Sequence, residues 1–342
     1  MIFGRHKLDK YGEALIGADP FLRQDALSHI QEWRETHLFV LAELNKQIKA
    51  FFAERGIAYD FQSMRIKRMT SIEAKLRNNA KGRMKLGGMQ DIGGIRYVFG
   101  GIADVDKANE ALAEFAPAGF VFRRQSDYIS EPKQSGYRSI HYIYQYVSNN
   151  EEYNGISIEL QIRTRLQHAW AMAVETASLT ARTTLKAEIG GAEDWRGFFR
   201  LVSALFAKEE GKPVQEQFAA YTKADFCNEY YAYKKKKLID QLEALRVTTS
   251  NANFDNEDKG FCVLIIDFET RLVHAKIFRT EDADAAAQTF GNIETTITGD
   301  EAALMVAIER IKEIREAYPS YFLDTKAFLE YLYKFDEECS LI

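Results

Sequence analysis

Between residues 95 and 179 the apolar pattern alternates between two periods, and this alternation limits the fold more than any other feature. Residues 95–99 form a short β-rich run, Ile-Arg-Tyr-Val-Phe. Residues 105–115 then place Val105, Ala108, Leu112 and Phe115 on one side of a helix. Residues 137–147 are aromatic and β-branched, residues 156–162 alternate strictly, and residues 166–179 return to helical spacing. Strands separated by helices favour a mixed α/β sheet over a helical bundle. Upstream, Leu41, Leu44, Ile48 and Phe52 predict a helix over residues 21–55, stopped at Arg55-Gly56.

The chain has 342 residues, a length that points to about two domains. Residues 249–260 are polar and poor in hydrophobic side chains, the best linker in the chain. They separate a body of residues 1–248 from a small C-terminal α/β module of residues 261–342. Two β-rich runs, 261–268 and 273–278, are joined by Glu269-Thr270 and read as a hairpin. Leu304, Ile308, Ile311 and Ile314 predict an amphipathic helix over 301–317, and a short helix follows over 326–335.

With 45 Lys and Arg against 50 Asp and Glu, the chain is not a uniformly basic nucleic-acid binder, although a local basic patch on an acidic body stays open. Cys227, Cys262 and Cys339 are odd in number and far apart, which implies no disulfide framework and no zinc pair. Neither a signal peptide nor an eighteen-residue apolar run is visible. The expectation is a soluble protein of a reducing bacterial cytoplasm, with no membrane or DNA partner.

Four clusters carry the chemistry. Residues 63–85 hold eight Lys and Arg against the single acid Glu73. Within them Lys67, Ser71 and Lys75 are spaced by four and would share one helix face, a set able to grip a polyphosphate; as a lone basic run it would more often be a solvated face. Asp91 precedes Gly93 and Gly94 at the mouth of a β-run, a good position for magnesium, though Asp-x-x-Gly is also a turn. A loop bounded by Pro132 and Gly136 carries Lys133, Ser135, Tyr137, Arg138, Ser139 and His141, and Tyr137 could present a ring to a nucleobase or simply enter the next strand as core. Last, period 2 puts Glu159, Gln161 and Arg163 on one face of a strand, an expensive arrangement if buried without purpose. The lysine run 234–237 reads equally as a solvated face and as a guide for an RNA backbone.

In this order and spacing the clusters resemble the synthetase domain of the RelA/SpoT family, over about residues 40–210. The family pattern R-x-K-x-x-x-S-x-x-x-K falls on Arg65, Lys67, Ser71 and Lys75, and D-x-x-G-x-R on Asp91, Gly94 and Arg96. The acceptor loop P-K-x-N-G-Y-R-S-x-H falls on Pro132, Lys133, Gly136, Tyr137, Arg138, Ser139 and His141, and E-x-Q-I-R-T on Glu159, Gln161, Ile162, Arg163 and Thr164. The resemblance implies a nucleotidyltransferase-like sheet flanked by helices and transfer of pyrophosphate from ATP to a 3′-hydroxyl. It implies Mg²⁺ on Asp91 and Glu159 as the catalytic pair, and ATP on Arg65, Lys67, Ser71, Lys75 and Arg96. The acceptor would lie on Lys133, Tyr137, Arg138, His141, Gln161 and Arg163. No His-Asp dipeptide is present, so the hydrolase half of bifunctional relatives is not expected.

Two positions depart from the pattern: Ser135 replaces the loop asparagine that helps to read guanine, and the helix motif that often ends Glu-His ends Glu175-Thr176. Both bear on the acceptor more than on the donor chemistry. The stretches 167–175 and 193–199 resemble toxic small alarmone synthetases, and the tail 318–325 after a β-rich module is similar to the fused toxin–antitoxin group called CapRel. That resemblance implies a tRNA 3′ CCA end as acceptor and an anti-phage role. It also implies a C-terminal module that inhibits the enzyme until a phage protein, such as a capsid protein, binds. The alternatives are a (p)ppGpp synthetase using GDP or GTP, and a non-catalytic RNA-binding or phage-sensing protein; the intact Asp91/Glu159 pair weighs against the last.

Overall fold

A computed structural model describes residues 4–78, 84–181, 192–240, 242, 260–267, 272–297, 301–308 and 325–341. The chain opens with helices α1 (Arg5–Ile16) and α2 (Pro20–Glu54). Asp19 starts α2 by accepting from Phe21 N (2.9 Å) and Leu22 N (3.2 Å), with Pro20 pre-set for the first turn. Then follow β1 (Phe61–Ile66), α3 (Met69–Arg77), β2 (Gly93–Phe99), α4 (Ile102–Leu112), β3 (Phe120–Asp127), β4 (Ile140–Tyr146) and β5 (Ser157–Thr164). Helices α5 (Arg165–Ala181), α6 (Ala192–Glu209) and α7 (Lys223–Lys235) come next. Beyond them lie β6 (Gly260–Asp267), β7 (Leu272–Arg279), α8 (Ala283–Thr296), β8 (Glu301–Ile308) and α9 (Lys326–Cys339).

The expected mixed α/β architecture is present. The described strands form one sheet in the order β3-β4-β5-β2-β1-β8-β6-β7, with β2 and β5 parallel and the other pairs antiparallel. One face of the sheet is apolar. Val40, Leu41, Leu44, Ile48 and Phe52 of α2 pack there against Ile95, Tyr97, Tyr142, Tyr144, Ile158, Leu160 and Ile162. Each such side chain contributes about 1.5–3 kcal/mol when buried. Gly93 makes the fit possible, because a Cβ there would stand 2.8 Å from Ile158 Cδ1 and 3.2 Å from Leu41 Cγ. A second core joins Trp170 of α5, Phe198, Phe199 and Phe206 of α6, and Phe328 and Leu332 of α9.

Several expectations change. Residues 301–308 are strand, not helix, and 309–317 lie outside the described residues. In β8 Ala303 and Met305 are buried in the same core as α2, and an inner strand that is apolar from Ala302 to Ile308 mimics helical spacing. The hairpin β6–β7 is as expected, although Glu269 and Thr270 lie outside the described residues, as do residues 249–259 and 318–324. Cys227 and Cys339 form a disulfide, Cα to Cα 5.5 Å, that ties α7 to α9. Sequence spacing hid that pair because the packing of α7 on α9 creates it across 112 residues. The lysine run 234–237 ends α7, where Lys234 pairs with Asp336 and Lys236 with Asp194.

Candidate active site

Strand register builds the site on the sheet's other face. Arg65 of β1 lies opposite Gly94 of β2, Gly94 opposite Glu159 of β5, Glu159 opposite Ile143 of β4, and Ile143 opposite Arg124 of β3. Two residues along runs a second row: Ser63, Arg96, Gln161, His141 and Ser126. Residues two apart on a strand share a face, so both rows look the same way. Except for Ser126, these residues line one cavity of about 660 Å³, closed by Lys75, Gln90 and Asp91 on one side and Tyr128, Lys133, Ser135 and Tyr137 on the other.

Asp91 stands just before β2 and is held by two ammonium groups. Lys67 Nζ lies 2.9 Å from Oδ2, and Lys75 Nζ lies 3.0 and 2.9 Å from Oδ1 and Oδ2. Burial alone would raise the Asp91 pKa, but the charges and hydrogen bonds of Lys67 and Lys75 outweigh it and hold it at about 2. Burial, reinforced by the neighbouring charges of Arg65 and Lys75, pulls Lys67 below its ordinary value against the opposing effect of Asp91. The expected shared helix face is corrected here. Lys67 precedes α3 and reaches Asp91 from the connection after β1, while Lys75 reaches it from the helix.

Glu159 Oε1 is 2.9 Å from His141 Nδ1, Oε2 accepts from Gln161 Nε2 at 2.6 Å, and His141 Nε2 is 2.8 Å from the Tyr137 hydroxyl. Burial opposes ionisation of Glu159, yet the contacts with His141 and Gln161 prevail and its pKa is lowered. An ionised Glu159 accepts from Nδ1–H, which leaves Nε2 to accept from Tyr137. The Tyr137 ring meets Tyr128 and His141 edge-on, and Lys133 Nζ lies over Tyr128 at 3.7 Å and over Tyr137 at 5.2 Å.

Of the residues expected from sequence, Arg65, Lys75, Asp91, Arg96, Lys133, Tyr137, His141, Glu159 and Gln161 line the cavity, and Lys67 reaches it through Asp91. Ser71 does not line it. Arg138 and Arg163 do not line it either. Arg138 is buried under the loop and donates to Ile129 O and Ser203 Oγ, and Arg163 is buried against His168. Period 2 gave Arg163 the right strand face, but its end of the strand is covered. Sequence reasoning missed Ser63, Gln90, Arg124 and Tyr128 as lining residues. Period 2 on β1 and β3 was the signal for Ser63 and Arg124.

A magnesium ion usually keeps several waters and takes one or two carboxylates plus substrate phosphates. Two ionised carboxylates beside the cations Arg65, Lys67, Lys75 and Arg96 fit that pattern. Among the described residues, no group of three or more His, Cys, Asp or Glu could hold a metal by itself, so the residues fit a metal that arrives with a polyphosphate. No helix among the described residues is long and apolar enough to cross a membrane.

Residues 64–180 match the family model described as "Region found in RelA / SpoT proteins". The chain is 35% identical over 116 residues to GTP pyrophosphokinase YjbM of Bacillus subtilis, a match covering 33% of this chain and 53% of that protein. It is 33% identical over 143 residues to the probable GTP diphosphokinase RSH3, chloroplastic, of Oryza sativa subsp. japonica, covering 42% of this chain and 16% of that one. The chain thus spans about half of the first relative and a sixth of the second. The small alarmone synthetase 1 of Bacillus subtilis, bound to its product pppGpp, superposes with a TM-score of 0.42 at 24% identity, over 52% of this chain and 89% of that one. Residues 64–180, which furnish Arg65, Asp91, Tyr137 and Glu159, thus resemble the region found in RelA/SpoT proteins.

Proposed function

We propose that the chain is an ATP-dependent pyrophosphokinase whose acceptor is the 3′-hydroxyl of a guanosine nucleotide. The observation that carries this reading is the cavity itself, where Asp91, gripped by Lys67 and Lys75, and Glu159, opposite Gly94 with Arg65 beyond, meet on one polar sheet face. The 35% identical relative is named a GTP pyrophosphokinase, which supports the choice of acceptor.

Arg65, Lys67 and Lys75 hold the triphosphate by charge-assisted hydrogen bonds, with Arg96 in the floor beside them. When bound at Asp91 and Glu159, magnesium would neutralise charge on the β- and γ-phosphates. Tyr128 and Tyr137 offer rings to the acceptor base, and Lys133 must shift from above them to admit it. The 3′-oxygen attacks the β-phosphorus and forms the O3′–Pβ bond. The bond from Pβ to the bridging oxygen breaks, and AMP leaves with that oxygen. The hydroxyl proton, oriented by Glu159, is taken up by its carboxylate as the O3′–Pβ bond forms and is then passed to solvent. Its lowered pKa makes Glu159 a better aligned acceptor than a strong base, and His141, anchored by Tyr137, fixes the direction of its carboxylate. Positioning and charge neutralisation carry most of the rate, as in other phosphoryl transfers.

A tRNA 3′ end is the second reading of the acceptor, favoured by Ser135 in place of the guanine-reading asparagine. Attached to it is a toxin released by a phage protein from inhibition by its C-terminal segment. Because β8 pairs with β1, such a partner would have to pull apart a hydrogen-bonded pair of strands. The test is to incubate the full chain with Mg²⁺ and γ-labelled ATP, with GDP and GTP in one tube and bulk tRNA in another. Labelled guanosine nucleotide supports the first reading, and labelled tRNA alone the second. Label in neither acceptor contradicts the pyrophosphokinase.

A further inference from the structure

The residues that line the cavity all fall between Ser63 and Gln161, yet α8 reaches into the same machinery. Its Glu294 is buried, 4% exposed at the side chain, and uses both oxygens. Oε1 accepts from Met69 N at 2.8 Å, and Oε2 pairs with Arg34 Nη1 at 2.6 Å. Met69 is the first residue of α3, and the side chain of Arg68 before it has only donors and cannot cap the helix, although its carbonyl accepts from Ser71 N and Ile72 N. Glu294 therefore acts as the cap of α3, with its charge at the favourable end of the helix dipole. Arg34, 1% exposed, donates from Nε to the carbonyl of Lys67 at 3.0 Å, from Nη1 also to Gln31 at 2.6 Å, and lies over the Phe290 ring at 5.0 Å. Lys67 N in turn donates to Ile92 O at 2.7 Å, beside Asp91.

One carboxylate thus fixes both backbone points from which the lysines of Asp91 project: the connection that carries Lys67 and the start of the helix that carries Lys75. A buried ion pair is a weak source of stability compared with apolar contacts of the same size, so stability alone does not account for it. The C-terminal strand β8 also braces Arg65, whose backbone pairs with Val306.

We propose that Glu294 is a positioning residue for the donor phosphates, acting through Arg34 on Lys67 and through the N-terminus of α3 on Lys75. The inference rests on the donor-site reading above. It assigns the C-terminal segment of the chain a constructive role in ATP binding.

The test compares the full chain with Glu294→Gln and Glu294→Ala. Binding of a non-hydrolysable ATP analogue with Mg²⁺ is measured by calorimetry, the KM values for ATP and for the acceptor identified by transfer are determined, and each protein is melted. E294Q keeps an oxygen for Met69 N but loses the ion pair. It should fold and bind the analogue about tenfold more weakly, with KM for ATP raised in step and KM for the acceptor within about twofold of wild type. E294A should be weaker again, and if it does not fold, E294Q decides. A folded E294Q with wild-type ATP affinity, equal losses for both substrates, or an E294Q that does not fold would each overturn the proposal. A wild-type chain that binds no ATP analogue defeats the donor-site reading, and the proposal with it, whatever the variants do.

Discussion

Lys75 places its ammonium 3.0 and 2.9 Å from the two carboxylate oxygens of Asp91, so a candidate metal ligand is paired with a candidate phosphate ligand. The site stores its charges against one another.

Asp91→Asn and Glu159→Gln should each lower transfer by about 100-fold or more, with the melting temperature changed far less than activity. Steady-state assays and thermal melts of the same preparations check this. Near-normal turnover in either variant removes that carboxylate from the reaction.

The Asp91 contacts also set a pH dependence. Its folded pKa of about 2 lies below its ordinary 3.8, so its contribution is fully present above about pH 4 and fades as pH falls toward 2. Roughly 2 kcal/mol of stability should disappear across that window. Urea unfolding in a chelator should show a shallower acid limb for Asp91→Asn than for wild type. Identical limbs would mean that the lysine contacts do not hold in solution.

Gly136→Ala should damage the acceptor side. Gly136 has φ of +89°, and a Cβ there would stand 2.9 Å from Ser203 Cβ and 3.1 Å from Trp170 Cζ2. Strain and overpacking together should cost about 1–3 kcal/mol. The loop carrying Tyr137 should shift with it, so KM for the acceptor rises more than KM for ATP. A rise confined to ATP would place the loop on the wrong side of the cavity.

A chain ending after residue 248 should be less stable than the whole. It loses β8 from the edge of β1, and Arg34 loses Glu294 and the Phe290 ring that packs on it. Thermal melts and ATP-analogue titrations of both chains decide. A truncated chain that is as stable as the whole and binds ATP more tightly would favour an inhibitory C-terminal segment instead.

The site was legible where function is written locally. Asp91 beside Gly93 and Gly94, the Pro132-to-His141 loop, and the alternation of Glu159 and Gln161 each sit within a few residues, and register then carries them to one face. Arg138 and Arg163 do not line the cavity, and the motifs do not reveal this, because a buried arginine and a cavity-lining one look alike in sequence. Strand β8 read as helix because Leu304 and Ile308 match helical spacing, and only its place between β1 and β6 makes the unbroken apolar run 302–308 sensible as a strand. Glu294 gave no signal at all: its partners Met69 and Arg34 lie 225 and 260 residues away, and tertiary packing alone joins them.

The central claim is that the Asp91–Glu159 cavity moves pyrophosphate, not a single phosphate. The direct measurement is the adenine product formed by the full chain with Mg²⁺, ATP and the acceptor that becomes labelled, with Asp91→Asn run in parallel. The account predicts one AMP for each labelled acceptor and none above background from the variant. ADP as the product, or AMP formed equally by Asp91→Asn, would contradict it.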